Sequence, residues 1–123
     1  MPRYPGLTLR ILAGSVPAMG PGRARLVSLI DSTGSISAAA REMGMSYRRA
    51  WQLVEALNAT FSEPVVVTAV GGKRGGGAMV TDFGRRMVEA YHAMEAKASA
   101  AIAPDIGEYS AHLRKSAAKA KAR

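Results

Sequence analysis

Gly34-Ser35-Ile36-Ser37-Ala38-Ala39-Ala40-Arg41-Glu42-Met43-Gly44-Met45-Ser46-Tyr47-Arg48-Arg49-Ala50-Trp51 is the stretch that decides the fold. Ser37 is the predicted N-cap of a short helix, because its hydroxyl can accept from an orphan amide of the first turn. Gly44 ends that helix after about two turns. Ser46 supplies a second cap, opening a helix that runs to Asn58. In the second helix Ala50, Trp51, Val54 and Leu57 share one face, and Arg48, Arg49, Gln52 and Glu55 share the other. Two helices joined by only Gly44-Met45-Ser46 must cross closely, so the first needs a small residue at the crossing. Ala40 is that residue, and Gly44, four positions later, permits the left-handed turn. The pattern is a helix-turn-helix.

Upstream, residues 1–6 read as an unstructured lead without the apolar core of a signal peptide. Residues 7–12 alternate like a short strand, and 14–22 form a breaker-rich link with prolines at 17 and 21. Leu26, Val27, Leu29 and Ile30 predict an amphipathic helix over 23–32, stopped by Gly34. Downstream, 65–70 and 78–81 are strand-like around the glycine-rich loop 71–77, which makes a hairpin. Thr81 caps a long helix with Asp82 in its first turn, where a negative charge opposes the helix dipole favourably. Phe83, Met87, Tyr91, Met94 and Ala98 form a helix–helix seam, used either within the chain or at a dimer. Pro104 is predicted to end this helix by Ala103, with one more short helix over 105–115 and a basic, unstructured tail beyond. The expected architecture is mainly α with a small β-hairpin, a winged helix-turn-helix plus a long dimerisation helix. Residues 1–103 are the expected DNA-binding domain, and 104–123 an appendage.

The composition narrows the chemistry. The chain has 123 residues and no Cys, so thiolate metal sites and disulfides are excluded. His92 and His112 are its only imidazoles, and neither has a nucleophile or carboxylate in a catalytic pattern, so no enzyme activity, cofactor or metal is expected. No apolar run is long enough for a membrane helix, and the expectation is a cytoplasmic protein. Lys and Arg total 17 against nine Asp and Glu, a formal charge of +8. Five of the bases lie after His112, yet the body stays basic, which favours polyanionic partners.

Double-stranded DNA is the partner that the second helix's polar face would suit. Arginine pairs bidentately with guanine O6/N7 and glutamine with adenine N6/N7, so Arg48, Arg49 and Gln52 are candidate base readers. The bland alternative is a solvated helix face. Tyr47 either packs on Trp51 one turn away or touches DNA, and Trp51 belongs to the core. Ser37, Ser46, Lys73 and Arg74 are candidate phosphate contacts. The glycine-rich loop lacks the Gly-x-x-x-x-Gly-Lys-Ser/Thr pattern of a nucleotide cradle and reads as a wing. Phe83, Met87, Tyr91 and Met94 are the candidate dimer interface, and a two-fold pair of recognition helices predicts an inverted-repeat operator. Rival readings are a protein–protein interaction module on the same scaffold and a small-oxyanion sensor.

The quoted residues 34–41 and 44–51, together with Gly71-Gly72-Lys73-Arg74-Gly75-Gly76-Gly77-Ala78, Thr81 and Gly84, closely resemble the ModE-type N-terminal domain. That family comprises molybdate-responsive, LysR-like winged-helix transcription regulators, and the resemblance covers residues 7–95. It implies a homodimer, the second helix in the major groove, the wing at its flanks, and control of molybdenum transport or molybdoenzyme genes. Full-length members also carry a C-terminal molybdate-binding module. The residues after the seam here are Ala- and Lys-rich and too few for it, so molybdate binding is not expected.

Overall fold

In the computed structural model, residues 6–69 and 77–114 are described. Eight elements follow in order: β1 (Ile11–Ala13), β2 (Val16–Met19), α1 (Pro21–Thr33), α2 (Ile36–Met43), α3 (Tyr47–Thr60), β3 (Val66–Ala69), β4 (Gly77–Val80) and α4 (Asp82–Ser110). The mainly helical architecture with a hairpin and a long last helix is as the sequence predicts.

The first hairpin is a departure. β1 starts later than the predicted strand, and its antiparallel partner β2 lies in the stretch read as a breaker-rich link. Gly14, with φ of +65°, lets the chain reverse between Ala13 and Val16. A proline is tolerated at 17 because a two-stranded ribbon has free edges, where no ladder amide is required.

α1 starts at Pro21, two residues before the prediction, and ends at Gly34 in the left-handed region. The predicted cap of α2 is corrected: Ser35, not Ser37, accepts from the amide of Ala38 at 3.0 Å. The earlier start brings Ile36 into the core, and that burial selects Ser35. Ser37 then sits exposed in the first turn, 3.2 Å from the Ser35 hydroxyl. The rest of the motif follows expectation. Gly44 takes φ of +69°, Ala39 and Ala40 are buried, and Ser46 accepts from the amide of Arg49 at 3.1 Å. Ala50, Val54 and Leu57 carry α3 into the core beside Leu26, Val27 and Ile30 of α1.

The second hairpin pairs Val66 with Val80 and Thr68 with Ala78, burying Val66, Ala78 and Val80 on one face. Val67 and Met79 stand on the exposed face, as the two-residue period requires. Asn58, which the sequence marks only as the end of the second helix, fastens this hairpin to α3. Its Oδ1 accepts from the amides of Val65 (2.7 Å) and Val66 (3.2 Å), and its Nδ2 donates to the Val66 carbonyl at 2.9 Å. Asn58→Ala strands three partly buried backbone groups, and should cost about 2 kcal/mol in urea unfolding. Wild-type stability in that variant would mean that water replaces the side chain fully.

Thr81 caps α4 as expected, accepting from the Gly84 amide at 2.9 Å and donating to the Pro64 carbonyl at 2.7 Å. Arg85 ties α4 to α1 through Asp31 and reaches Asp82 at 2.8 Å. The hydrogen bond to Asp31, and then its charge, hold the guanidinium pKa above the ordinary arginine value.

The predicted end of α4 at Ala103 is also corrected, because the helix runs through Pro104 to Ser110, and 111–114 form no separate helix. Proline removes one bond to the carbonyl four residues back, here that of Ala100. Both residues are exposed, so water can serve that carbonyl, while Ile102 and Ile106 stay half-buried on the opposite side. Gly6 lies against Ile106, and the Tyr91 hydroxyl donates to the Leu9 carbonyl at 2.7 Å. Packing against the N-terminal segment therefore outweighs the lost bond.

Candidate nucleic-acid interface

Ser46 sets the start of α3 by satisfying an amide of its first turn, and Ala50, Val54 and Leu57 fix its rotation. At about 100° per residue this leaves Arg48, Gln52 and Glu55 on the outermost strip. All three are exposed. Tyr47 is 56% exposed and its ring stacks on Trp51, with centroids 6.5 Å apart and planes within 8°. The two readings of Tyr47 therefore coexist in one geometry: it packs on a half-buried Trp51 and still presents an edge to solvent. Arg49 is exposed too but lies on the flank of α3, beside Leu53, where it borders a cleft shared with Arg10 and Arg23.

Arg48, Arg49 and Gln52 form no side-chain hydrogen bond or ion pair among the described residues, so their donors are available to a ligand. Ser37 and Ser46 are exposed at the starts of α2 and α3, and Ser46 lies two residues before Arg48. Lys73 and Arg74 lie outside the described residues. The strands that lead into their loop are held against the motif, since the amide of Ala78 donates to the Gly34 carbonyl at 3.0 Å.

The four seam residues have different surroundings. Tyr91 is 1% exposed and belongs to the core of its own chain. Phe83 meets Phe61 edge to face at 6.1 Å and Met87 packs on the core, both half-buried. Met94 is 42% exposed. His92 sits on the outside of α4 with Nδ1 2.9 Å from Glu95. Among the described residues no group of three or more His, Cys, Asp or Glu side chains could hold a metal ion. No helix there is long and apolar enough to cross a membrane.

Arg10 and Arg23 were missed as candidate site residues. They are 13 residues apart in sequence, one just before β1 and the other in α1, so only the folded chain brings them beside Arg49.

No family model matches the chain. It is 53% identical over 78 residues to the molybdenum-pterin-binding protein MopB of Rhodobacter capsulatus, covering 63% of this chain and 29% of that protein. It is 40% identical over 85 residues to the molybdenum transport protein ModE of Azotobacter vinelandii, covering 69% and 32%. Over 71 residues it is 39% identical to the DNA-binding transcriptional dual regulator ModE of Escherichia coli K12, covering 58% and 27%. The chain thus spans about a third of the length of the curated relatives it matches.

Proposed function

Because this chain is homologous to ModE-type proteins over most of its own length, we propose that it is a sequence-specific DNA-binding transcription regulator. The observation that carries the reading is the outer strip of α3. Arg48 and Gln52 are exposed one turn apart on a capped helix, and neither side chain is engaged among the described residues. In the major groove they read base edges, Arg48 on guanine and Gln52 on adenine. Arg49, Ser37 and Ser46 contact the backbone from the flanks, and Tyr47 contributes its exposed edge. Lys73 and Arg74 reach the phosphates beyond. Phosphate contacts position the protein while base contacts specify the site. No catalytic step is part of this reading.

Relatives named for molybdenum transport and molybdenum-pterin binding support molybdenum transport or molybdoenzyme genes as targets. Selection from randomised duplexes tests the function: an enriched motif with steep salt dependence is expected. Binding that prefers no sequence would overturn it.

A single recognition helix covers little DNA, so the protein acts as a homodimer on an inverted repeat. Met94 is the cleanest probe of that assembly, because Met87 and Tyr91 already serve the chain's own core. Met94→Lys should leave the fold intact, dissociate the dimer in sedimentation experiments, and abolish specific binding. A variant that stays dimeric would place the interface elsewhere.

A further inference from the structure

A cleft of about 340 Å³ lies where the start of α1, strand β2, the α2–α3 turn and the flank of α3 meet. Three arginines border it: Arg10 just before β1, Arg23 in the first turn of α1, and Arg49 in the first turn of α3. Among the described residues no Asp or Glu lines it. None of the three guanidinium groups makes an ion pair or side-chain hydrogen bond among the described residues. Arg23 is the most telling, because its Nη1 is buried with no hydrogen-bond partner among the described residues.

The start of α1 adds to the same field. Gly20, its N-cap, offers no side-chain acceptor, and no acidic residue occupies the first turn. Gly22 and Arg23, both lining the cleft, therefore present amides that the helix itself does not satisfy. Three like charges repel one another, and a buried guanidinium N–H without an acceptor is unfavourable. An anion in the cleft would offset the repulsion, and its charge would favour the Arg23 cation even though Nη1 itself is covered. Planar guanidinium forks and first-turn amides are the donors that oxyanions with several acceptor oxygens match best.

We propose that this cleft seats a tetrahedral oxyanion of the phosphate class. A water molecule's share of the liquid is about 30 Å³, so a phosphate group fits with room for solvent or an attached sugar. The anion has two possible sources. The cleft borders Arg49, on the flank of the helix strip that carries Arg48 and Gln52, so a phosphodiester of DNA lying across α3 is one. A free oxyanion is the other. The first source rests on the DNA-binding reading; the chemistry of the cleft does not.

The test has two arms on the full chain. In the first, inorganic phosphate is titrated against chloride at constant ionic strength while backbone amide resonances are followed by NMR. Gly22 and Arg23 should shift saturably in the wild type and in Arg25→Gln, which removes an exposed charge of α1 outside the cleft. The shift should vanish in Arg23→Gln, and in Arg10→Gln should the former disturb α1. In the second arm, the salt dependence of duplex binding is compared between Arg23→Gln and Arg25→Gln. A log–log slope shallower by about 0.9 in Arg23→Gln identifies a backbone phosphate as the occupant. Phosphate shifts with an unchanged slope identify a free oxyanion, and a shallower slope without them means that DNA alone delivers the group. Shifts equal to those in chloride together with equal slopes, or with no duplex binding to measure, overturn the proposal. Should the wild type bind no duplex, the DNA reading fails alone and the phosphate arm still decides the cleft.

Discussion

Arg48→Ala is expected to weaken binding to the preferred duplex by about 1–3 kcal/mol, roughly 5- to 150-fold in Kd. Arg48 lies at the centre of the exposed strip of α3 and has no partner to lose among the described residues. Stability should accordingly stay within about 0.5 kcal/mol of wild type. The substitution should also relax the preference at one base pair of each half-site, which distinguishes a base reader from a phosphate clamp. Arg49→Ala, on the flank, should instead weaken all duplexes alike. Fluorescence anisotropy on a panel of single-base variants reads both effects. If Arg48→Ala leaves the pattern of preferences intact, α3 does not read bases through this residue.

The second large effect is on folding. Gly84→Ala should destabilise the protein by about 3 kcal/mol, although an alanine normally improves a helix interior. A methyl group there would lie 2.5 Å from the Val65 carbonyl oxygen and 3.0 Å from a methyl of both Val65 and Val80. The obstructing atom is backbone, so no rotamer change removes the clash. That same carbonyl accepts from the Thr81 amide at 3.0 Å, and a shift of α4 to make room would stretch this bond. Urea denaturation should show a lower midpoint with an unchanged slope. A midpoint at or above wild type would mean that α4 sits on a looser seat.

The helix-turn-helix was legible in the sequence because its determinants are local. Ser46, Gly44 and Thr81 each cap a helix through an atom within four residues, so that part of their chemistry reads directly from the chain. Where local signals competed, tertiary burial decided. Ser35 and Ser37 are equivalent caps by type, and only the core position of Ile36 separates them. Pro104 signals a helix end, yet Ile102 and Ile106 hold α4 together across it by packing that is invisible in one dimension. Pro17 concealed a strand for the related reason that strand pairing depends on a distant edge being free. The candidate DNA-reading residues followed from one helical period. Arg10 and Arg23 did not, since no period links residues of a strand lead and another helix. Tyr91 shows the same limit from the other side: its spacing fits a seam, but its hydroxyl is committed to Leu9.

That commitment has a consequence for the order of assembly. The bond from Tyr91 to Leu9 closes a loop of 82 residues, whereas the contacts of α1, α2 and α3 are close in sequence. Short loops close sooner than long ones, and synthesis delivers the N-terminus first. During translation the residues around Leu9 must therefore wait, undocked, until the first half of α4 has emerged. In refolding, amides near Leu9 should gain exchange protection after those of α2 and α3. A segment made before the helices is secured after them, and the three-helix unit matures first.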